Sequence, residues 1–391
     1  MLHILYLVHD LCDPAVRRRV IMLEAGGAKV TLAGFRRAEQ PVARVENLTP
    51  IDLGRTQDGK FGQRLLAMAK AALSLGVKLK GIGRPDVIIG RNLEMLALAQ
   101  RAQAQFQGDV PVVYECLDIH RLLLGENMVS RAMRGAERLL GRRSALLVTS
   151  SPAFQRNYFT RFGQVDAPML LLQNKVLELA EQPEDLAVEN AAPADGKPWR
   201  IGWFGALRCR KSLELLSAFT RRLEGRFEVV LRGRPAYGEF TDFDRLVAAE
   251  PYIRFEGAYR NPEDLARIYG EVHFSWAIDF FEEGLNSDWL LPNRLYEGCR
   301  YGTVPIAMRP TETGRFLADR HLGLLLDEPS VDALQACLGT MDAEAYAAAR
   351  NRIRAEDRGT WVCDLRDCRA LVERLGRLTR LKTPDAILQT A

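Results

Sequence analysis

No apolar run in the 391-residue chain approaches the roughly 20 residues that a helix needs to cross a bilayer, so a membrane-spanning protein is not expected. The opening MLHILYLVHD lacks a basic segment ahead of its short apolar stretch and then meets Asp10. It reads as a first strand rather than a secretion signal, and a cytoplasmic location is expected. The seven cysteines are odd in number, scattered, and contain no Cys-x-x-Cys pair. That argues for reduced thiols and against a zinc site. No basic helix with interleaved aromatics stands out, which disfavours nucleic acid as a partner. No period of about 20–50 residues marks a repeat array.

What is present is an ordinary globular balance, with 47% apolar and 27% charged residues. At roughly 100–200 residues per domain the length suggests two domains. Residues 1–190 hold 25 basic and 20 acidic side chains, and the remainder holds 29 and 30. A mildly basic first half suits an anionic membrane or acceptor, or is ordinary surface charge.

Short apolar runs at His3–Val8, Lys29–Gly34, Asp86–Gly90, Val110–Glu115, Ala145–Ser150 and Met169–Leu172 alternate with helix-period segments. A stretch from Glu178 to Pro198, rich in Ala, Glu, Asp and Pro, breaks the rhythm. A second series follows at Arg200–Phe204, Phe227–Arg232, Ile253–Glu256, Val272–Trp276, Thr303–Ala307 and Leu322–Leu326. Strands alternating with helices imply parallel sheets with right-handed crossovers. The expected organisation is a Rossmann-like domain over 1–185, a linker over 186–197, a second Rossmann-like domain over 198–340, and helices over 341–391 that pack back on the first. Open parallel sheets bind ligands beyond the carboxyl ends of their strands, so function belongs in those turns.

Leu291–Ala307 (LPNRLYEGCRYGTVPIA) is the most informative segment. Pro292 suits the first turn of a helix, Gly302 ends it, and a strand follows. A helix N-terminus attracts phosphate, and Arg294 can add a bidentate contact. Glu297, one turn on, can accept from ribose hydroxyls. A surface helix with solvated Arg and Glu is the alternative. In Arg200–Leu216 a strand meets Gly205, then Arg208 and Lys211, then an amphipathic helix. Gly233 follows the next strand, and Tyr259 the one after. Asn286 and Ser287 in the Asp279–Trp289 loop are candidate sugar contacts, or part of a simple connector.

Pro292, Asn293, Arg294, Glu297, Gly302 and Pro305 resemble the donor-nucleotide motif of GT-B glycosyltransferases, with Arg for the usual Lys. The turn at Gly205, Arg208 and Lys211 resembles the diphosphate turn of the same family, with Ser212 where a second glycine usually falls. Leu2–Phe35, Arg84–Ala99, Val112–Leu122 and Glu137–Phe154 are similar to the first domain of bacterial exopolysaccharide enzymes of the succinoglycan type. The resemblance runs to about residue 307. It implies an α/β GT-B fold of two facing Rossmann-like domains with parallel sheets and a C-terminal helical tail. It also implies donor contacts from Gly205, Arg208, Lys211, Gly233, Tyr259, Asn286, Ser287, Pro292, Asn293, Arg294 and Glu297.

The activity so implied is transfer of a hexose, glucose from UDP-glucose, to a polyprenyl-diphosphate-linked oligosaccharide at the inner-membrane surface, with no cofactor beyond the nucleotide sugar. Two marks of retaining members are missing: the turn Gly90–Glu94 has no His, and Trp289 stands eight before Glu297. Glu282 and Glu283 could substitute for the second at a different spacing, but the succinoglycan-type resemblance implies a β-linked product and inversion, which needs a general base. Asp118, after the Val112–Glu115 run, is the first choice. Asp13 is the second, though its place before Pro14 equally suits an N-cap. His120 and His9 are fallbacks. Asp242-Phe243-Asp244 spells the metal motif of a different glycosyltransferase fold, but it lies in a polar helix-forming stretch and no metal is expected. Lys60–Arg84 reads either as a basic amphipathic helix on anionic lipid or as a core helix with a solvated face. The competing functions are a sugar-nucleotide 2-epimerase of the same fold and a non-catalytic partner of a polysaccharide synthase.

Overall fold

The structure, a computed structural model, describes residues 1–56, 61–106, 109–180, 190–194 and 196–380. Lys60, residues 181–189 and 195, which include part of the expected linker, and the tail beyond 380 lie outside them. The chain divides into two compact units. One is Met1–Leu172 together with the chain from Asp364 onward; the other is Gln173–Cys363.

Unit 1 is a seven-stranded parallel sheet. Its strands are β1 (His3–Val8), β2 (Lys29–Arg36), β3 (Ile51–Arg55), β4 (Val87–Arg91), β5 (Val112–Cys116), β6 (Ser144–Thr149) and β7 (Met169–Leu171), in spatial order β3-β2-β1-β4-β5-β6-β7. Its helices are α1 (Pro14–Ala25), α2 (Phe61–Lys78), α3 (Asn92–Gln105), α4 (Arg121–Leu124), α5 (Met128–Gly141) and α6 (Pro152–Phe154). Strands such as β4 and β5 are buried along their whole length, as expected when both faces of a parallel sheet are covered.

Unit 2 contains β8 (Val176–Leu177), β9 (Trp199–Leu207), β10 (Phe227–Pro235), β11 (Ile253–Phe255), β12 (Phe274–Trp276), β13 (Val304–Met308), β14 (Leu324–Leu326) and β15 (Val362–Cys363). Six of these form a parallel sheet in the order β11-β10-β9-β12-β13-β14, and β8 pairs with β15. The helices are α7 (Arg210–Arg222), α8 (Phe243–Ala248), α9 (Leu265–Gly270), α10 (Asn286–Trp289), α11 (Asn293–Arg300), α12 (Glu312–Ala318), α13 (Val331–Leu338), α14 (Ala343–Ala355) and α15 (Arg358–Trp361). The core joins Trp199, Trp203, Phe219 and Phe227 to side chains of β12 and β13.

Two boundaries differ from the sequence expectation. Unit 2 begins at Gln173 rather than 198, because β8 is held by β15 and Glu178 is paired to Arg300. The return to unit 1 starts at Asp364 rather than 341, because Tyr346, Ala349 and Ile353 of α14 are buried in the unit 2 core. Only α16 (Leu365–Arg380) packs on unit 1, against α1. That contact is close: a Cβ on Gly26 would lie 2.3 Å from the Cys368 carbonyl oxygen. β3 is a strand that the apolar pattern does not single out, since Asp52 and Gly54 interrupt it.

Candidate functional site

In unit 2 the ends of β9, β10 and β11 bring three glycines together. Gly205 and Gly233 are register partners, and the Gly233 N–H donates to the Gly257 carbonyl at 2.9 Å. Gly205 and Gly233 have φ of +109° and +135°, a region closed to most side chains. The result is a bare backbone edge at the carboxyl ends of these strands.

Arg208 leaves this edge just before α7, whose first turn is capped by Cys209 Sγ accepting from the Ser212 N–H. The hydroxyl of Ser212 accepts from the buried indole of Trp276 at 3.1 Å, which explains a side chain where the related turns have glycine. Arg208 donates to Asp279 at 3.0 Å and lies over the Phe281 ring at 4.5 Å. Lys211 reaches both oxygens of Glu283, at 2.7 and 2.8 Å, and lies 4.5 Å over Phe280. Arg294, on α11, donates to the Ile278 carbonyl at 2.8 Å. Three cations from three places in the sequence thus converge on one segment, Ile278 to Glu283, at the end of β12. Burial alone would raise the Asp279 carboxyl, but Arg294 and Arg208 hold it below the usual range.

Pro292 is the N-cap of α11 rather than its first helical residue, and the exposed Asn293 begins the helix. Glu297 faces inward. One of its oxygens accepts from Asn261 at 2.9 Å and the other from Tyr269 at 3.0 Å. Tyr259 sits half-buried in the same region; burial and then Glu297 push its hydroxyl upward. Asn261 and Tyr269 carry no signal in the sequence, because each reaches Glu297 from a separate element. Asn286 and Ser287 are buried, and the Ser287 hydroxyl accepts from the Glu282 N–H, bracing their own loop. Asp242 opens α8 and pairs with Arg210 and Arg245, while Asp244 accepts from Tyr237. Among the described residues no group of three or more His, Cys, Asp or Glu is arranged to hold a metal.

In unit 1 Asp118 is exposed after β5. Asp13 is occupied twice: it caps α1 through the Ala15 N–H at 2.9 Å and pairs with Arg91 at 3.3 Å. Behind it lies a buried polar network that sequence reasoning missed. Glu115 accepts from Arg19 at 2.6 Å, from Arg91 at 3.2 Å and from the Tyr6 hydroxyl. Burial would raise the Glu115 carboxyl, yet Arg19 and Arg91 bring it down to about 2. The available signal was a charged residue inside each of two fully apolar strand runs, VVYEC and VIIGR. His9 packs beside this network, and burial followed by Arg91 lowers its pKa. His120 caps α4, accepting from the Leu122 N–H at 3.3 Å. A pocket past the ends of β1 to β4 is lined by His9, Arg37, Thr56, Arg64, Met68 and Glu94.

No protein-family model matches the chain. The chain is 59% identical over 388 residues to succinoglycan biosynthesis protein ExoL of Rhizobium meliloti, covering 99% of this chain and 96% of that protein. It belongs to the family of succinoglycan biosynthesis protein ExoL. The fold agrees. Sucrose-phosphate synthase from Thermosynechococcus elongatus superposes with a TM-score of 0.70 at 16% identity, over 97% of this chain and 99% of that one. HepE from Anabaena, in complex with UDP and glucose, superposes with a TM-score of 0.65 at 15% identity, over 96% and 99%. The GT-B fold expected from the sequence, with a parallel sheet in each of two units, is therefore the fold of this chain.

Proposed function

We propose that the protein transfers glucose from UDP-glucose to a polyprenyl-diphosphate-linked oligosaccharide during exopolysaccharide assembly at the inner face of the cytoplasmic membrane, with inversion and without a metal ion. The observation that carries this reading is the convergence of Arg208, Lys211 and Arg294 on one loop, beside the inward-facing Glu297. The HepE complex holds UDP and glucose on the same fold, which favours the same donor here.

Glu297 accepts from the ribose hydroxyls, held in orientation by Asn261 and Tyr269. Gly205 and Gly233 admit the donor close to the backbone. Arg208 and Lys211 exchange their carboxylate partners for the diphosphate. Together with Arg294 and the N-terminus of α11 they supply the positive charge that a divalent ion would otherwise bring. Unit 1 takes the acceptor, whose diphosphate would draw Arg37 and Arg64 of the unit 1 pocket from their partners Asp10 and Glu94. Asp118 removes the proton from the acceptor hydroxyl as its oxygen attacks the anomeric carbon. The bond from that carbon to the phosphate oxygen breaks, and UDP leaves with the electron pair. Asp118, exposed after β5, is our first candidate for the base, and Asp13, which caps α1 and pairs with Arg91, is the second.

Calorimetry with UDP, GDP and ADP on the wild type, Glu297→Ala and Glu297→Gln tests the donor site. The expected result is UDP binding lost in Glu297→Ala, and UDP-glucose turnover lost in Asp118→Asn with binding kept. No binding of any nucleotide would overturn the reading in favour of a non-catalytic partner. Release of a new UDP-sugar without acceptor would mark an epimerase.

A further inference from the structure

Helices α2 and α5 carry more apolar surface than unit 1 uses. On α2, Leu66, Leu73 and Val77 are 66%, 84% and 78% exposed, although Ala71 and Leu75 on another face of the helix are buried. Residues spaced by seven and four lie on one side of a helix, so these three form a stripe. On α5, Met128, Val129 and Leu139 are 74%, 53% and 66% exposed, while Ser130, Glu137 and Gly141 face the interior. The two helices belong to one layer. Right-handed crossovers after β3, β4 and β5 place α2, α3 and α5 on the same side of the sheet, and α3 packs against both. With α3 between them, the two helices present two exposed apolar strips on one layer, and exposed apolar surface of this kind marks an interaction site.

The charges around the stripes are mostly basic; the exceptions are Glu94, which pairs with Arg64, and the exposed Glu126 just before α5. From Phe61 to Arg84 the chain has no Asp or Glu, but it has Arg64, Lys70, Lys78, Lys80 and Arg84. The single carboxylate of α5, Glu137, is buried and accepts from Tyr114, Tyr158 and Gln164. Arg131, Arg142 and Arg143 lie exposed on or just beyond the same helix. Lysine is depleted in the cores of protein interfaces, yet Lys70 is exposed within a turn of Leu66 and Leu73. At a bilayer surface the arrangement is natural, because lysine and arginine stems lie along apolar groups while their heads reach lipid phosphates. Arg64 and Met68 of α2 also line the unit 1 pocket, so a surface that seats α2 on lipid brings that pocket to the membrane.

We infer that the outer faces of α2 and α5 form a docking surface for an anionic bilayer, with Leu66, Leu73, Val77, Met128 and Leu139 entering the acyl boundary. The inference deepens the lipid-linked acceptor reading and rests on it for its purpose.

Sedimentation of the full chain with phosphatidylcholine vesicles, with and without an equal part of phosphatidylglycerol, tests it. The chain is expected to pellet with the anionic vesicles only, less so as salt rises. The double variants Leu73→Asp/Val77→Asp and Arg142→Glu/Arg143→Glu are each expected to weaken binding by about tenfold or more. These side chains are exposed, so circular dichroism and melting should stay as in the wild type. Failure to bind, equal binding to neutral vesicles, or wild-type binding by both variants would overturn the inference. So would a dimer that Leu73→Asp dissociates without any vesicle binding, which would assign the face to a second copy. Transfer to a short-chain soluble polyprenyl acceptor, run in parallel, keeps the two readings apart. Transfer without vesicle binding would remove docking alone, and vesicle binding without transfer would remove the acceptor reading alone.

Discussion

Gly233 and Gly205 face each other across β10 and β9 so closely that a Cβ on Gly233 would lie 1.9 Å from the Gly205 carbonyl oxygen. The obstacle is backbone, which cannot swing aside, and φ at Gly233 is +135°. Gly233→Ala is therefore expected to destabilise unit 2 by about 3 kcal/mol or more. At Gly205 the nearest atom, the Tyr259 hydroxyl, is 4.0 Å away, so Gly205→Ala carries the φ penalty of about 1–2 kcal/mol without the collision. Denaturant melts of the two variants read the difference directly. Equal losses would mean that the close approach is not what Gly233 serves.

Arg208 and Lys211 are expected to act on the leaving diphosphate rather than on the fold. Lys211 is partly exposed and Glu283 exposed, so their ion pair contributes little stability, whereas Arg208 pairs with the largely buried Asp279, which keeps Arg294 as its other cation. Lys211→Met should keep the wild-type melting temperature and Arg208→Met should lower it modestly, while each lowers kcat by about 10²–10³-fold. Single-turnover assays with UDP-glucose would measure it. A fall in KM-linked affinity with kcat intact would assign them to ground-state binding instead.

The Glu115 network should show the opposite balance. Glu115, Arg19 and Arg91 are buried, and removing one partner leaves buried charge that the remaining pairs compensate only in part. Glu115→Gln or Arg91→Met is expected to cost unit 1 about 3–5 kcal/mol. Because the Glu115 pKa falls to about 2 in the fold, its contribution is complete above the ordinary carboxyl range and is lost as pH drops through about 2. Acid titration of the wild type against Glu115→Gln should show this step only in the wild type.

His273 sets a second pH dependence at milder acidity. Its ring accepts from the Arg200 N–H at 2.9 Å and packs on Trp199 and Tyr346. Burial, followed by Arg200, lowers its pKa to about 4. The unfolded chain takes up the proton first, so the stabilisation is full above about pH 6.5 and disappears as pH falls through about 4. Over that window the loss should be on the order of 3 kcal/mol. Melting curves from pH 7 to 4 would show a flatter slope in His273→Phe, and an unchanged slope would place the titration elsewhere.

Much of the architecture was legible without a structure. Fully buried parallel strands are short continuous apolar runs, so twelve of them could be placed from the sequence to within a few residues. Asp13-Pro14 and Gly302 bounded helices because capping and left-handed backbone are local demands. The strand β3 was not legible, because Asp52 and Gly54 break its apolar run. The extent of the tail was not legible either, because α14 reads as an amphipathic helix whichever unit it covers.

The sequence by itself determined the two parallel-sheet units and the motif around Arg208, Lys211, Arg294 and Glu297 that resembles a donor site. These depend on period, turn chemistry and spacing, which are properties of neighbours along the chain. Only the tertiary structure decided that the three cations meet on one loop, that Asn261 and Tyr269 hold Glu297, and that Glu115 shares its charge with Arg19 and Arg91. It also decided that the apolar stripe of α2 faces outward. An amphipathic pattern shows that a helix has two faces. Which face the core takes depends on the area that the rest of the fold offers to bury, and that is known only when the elements are packed.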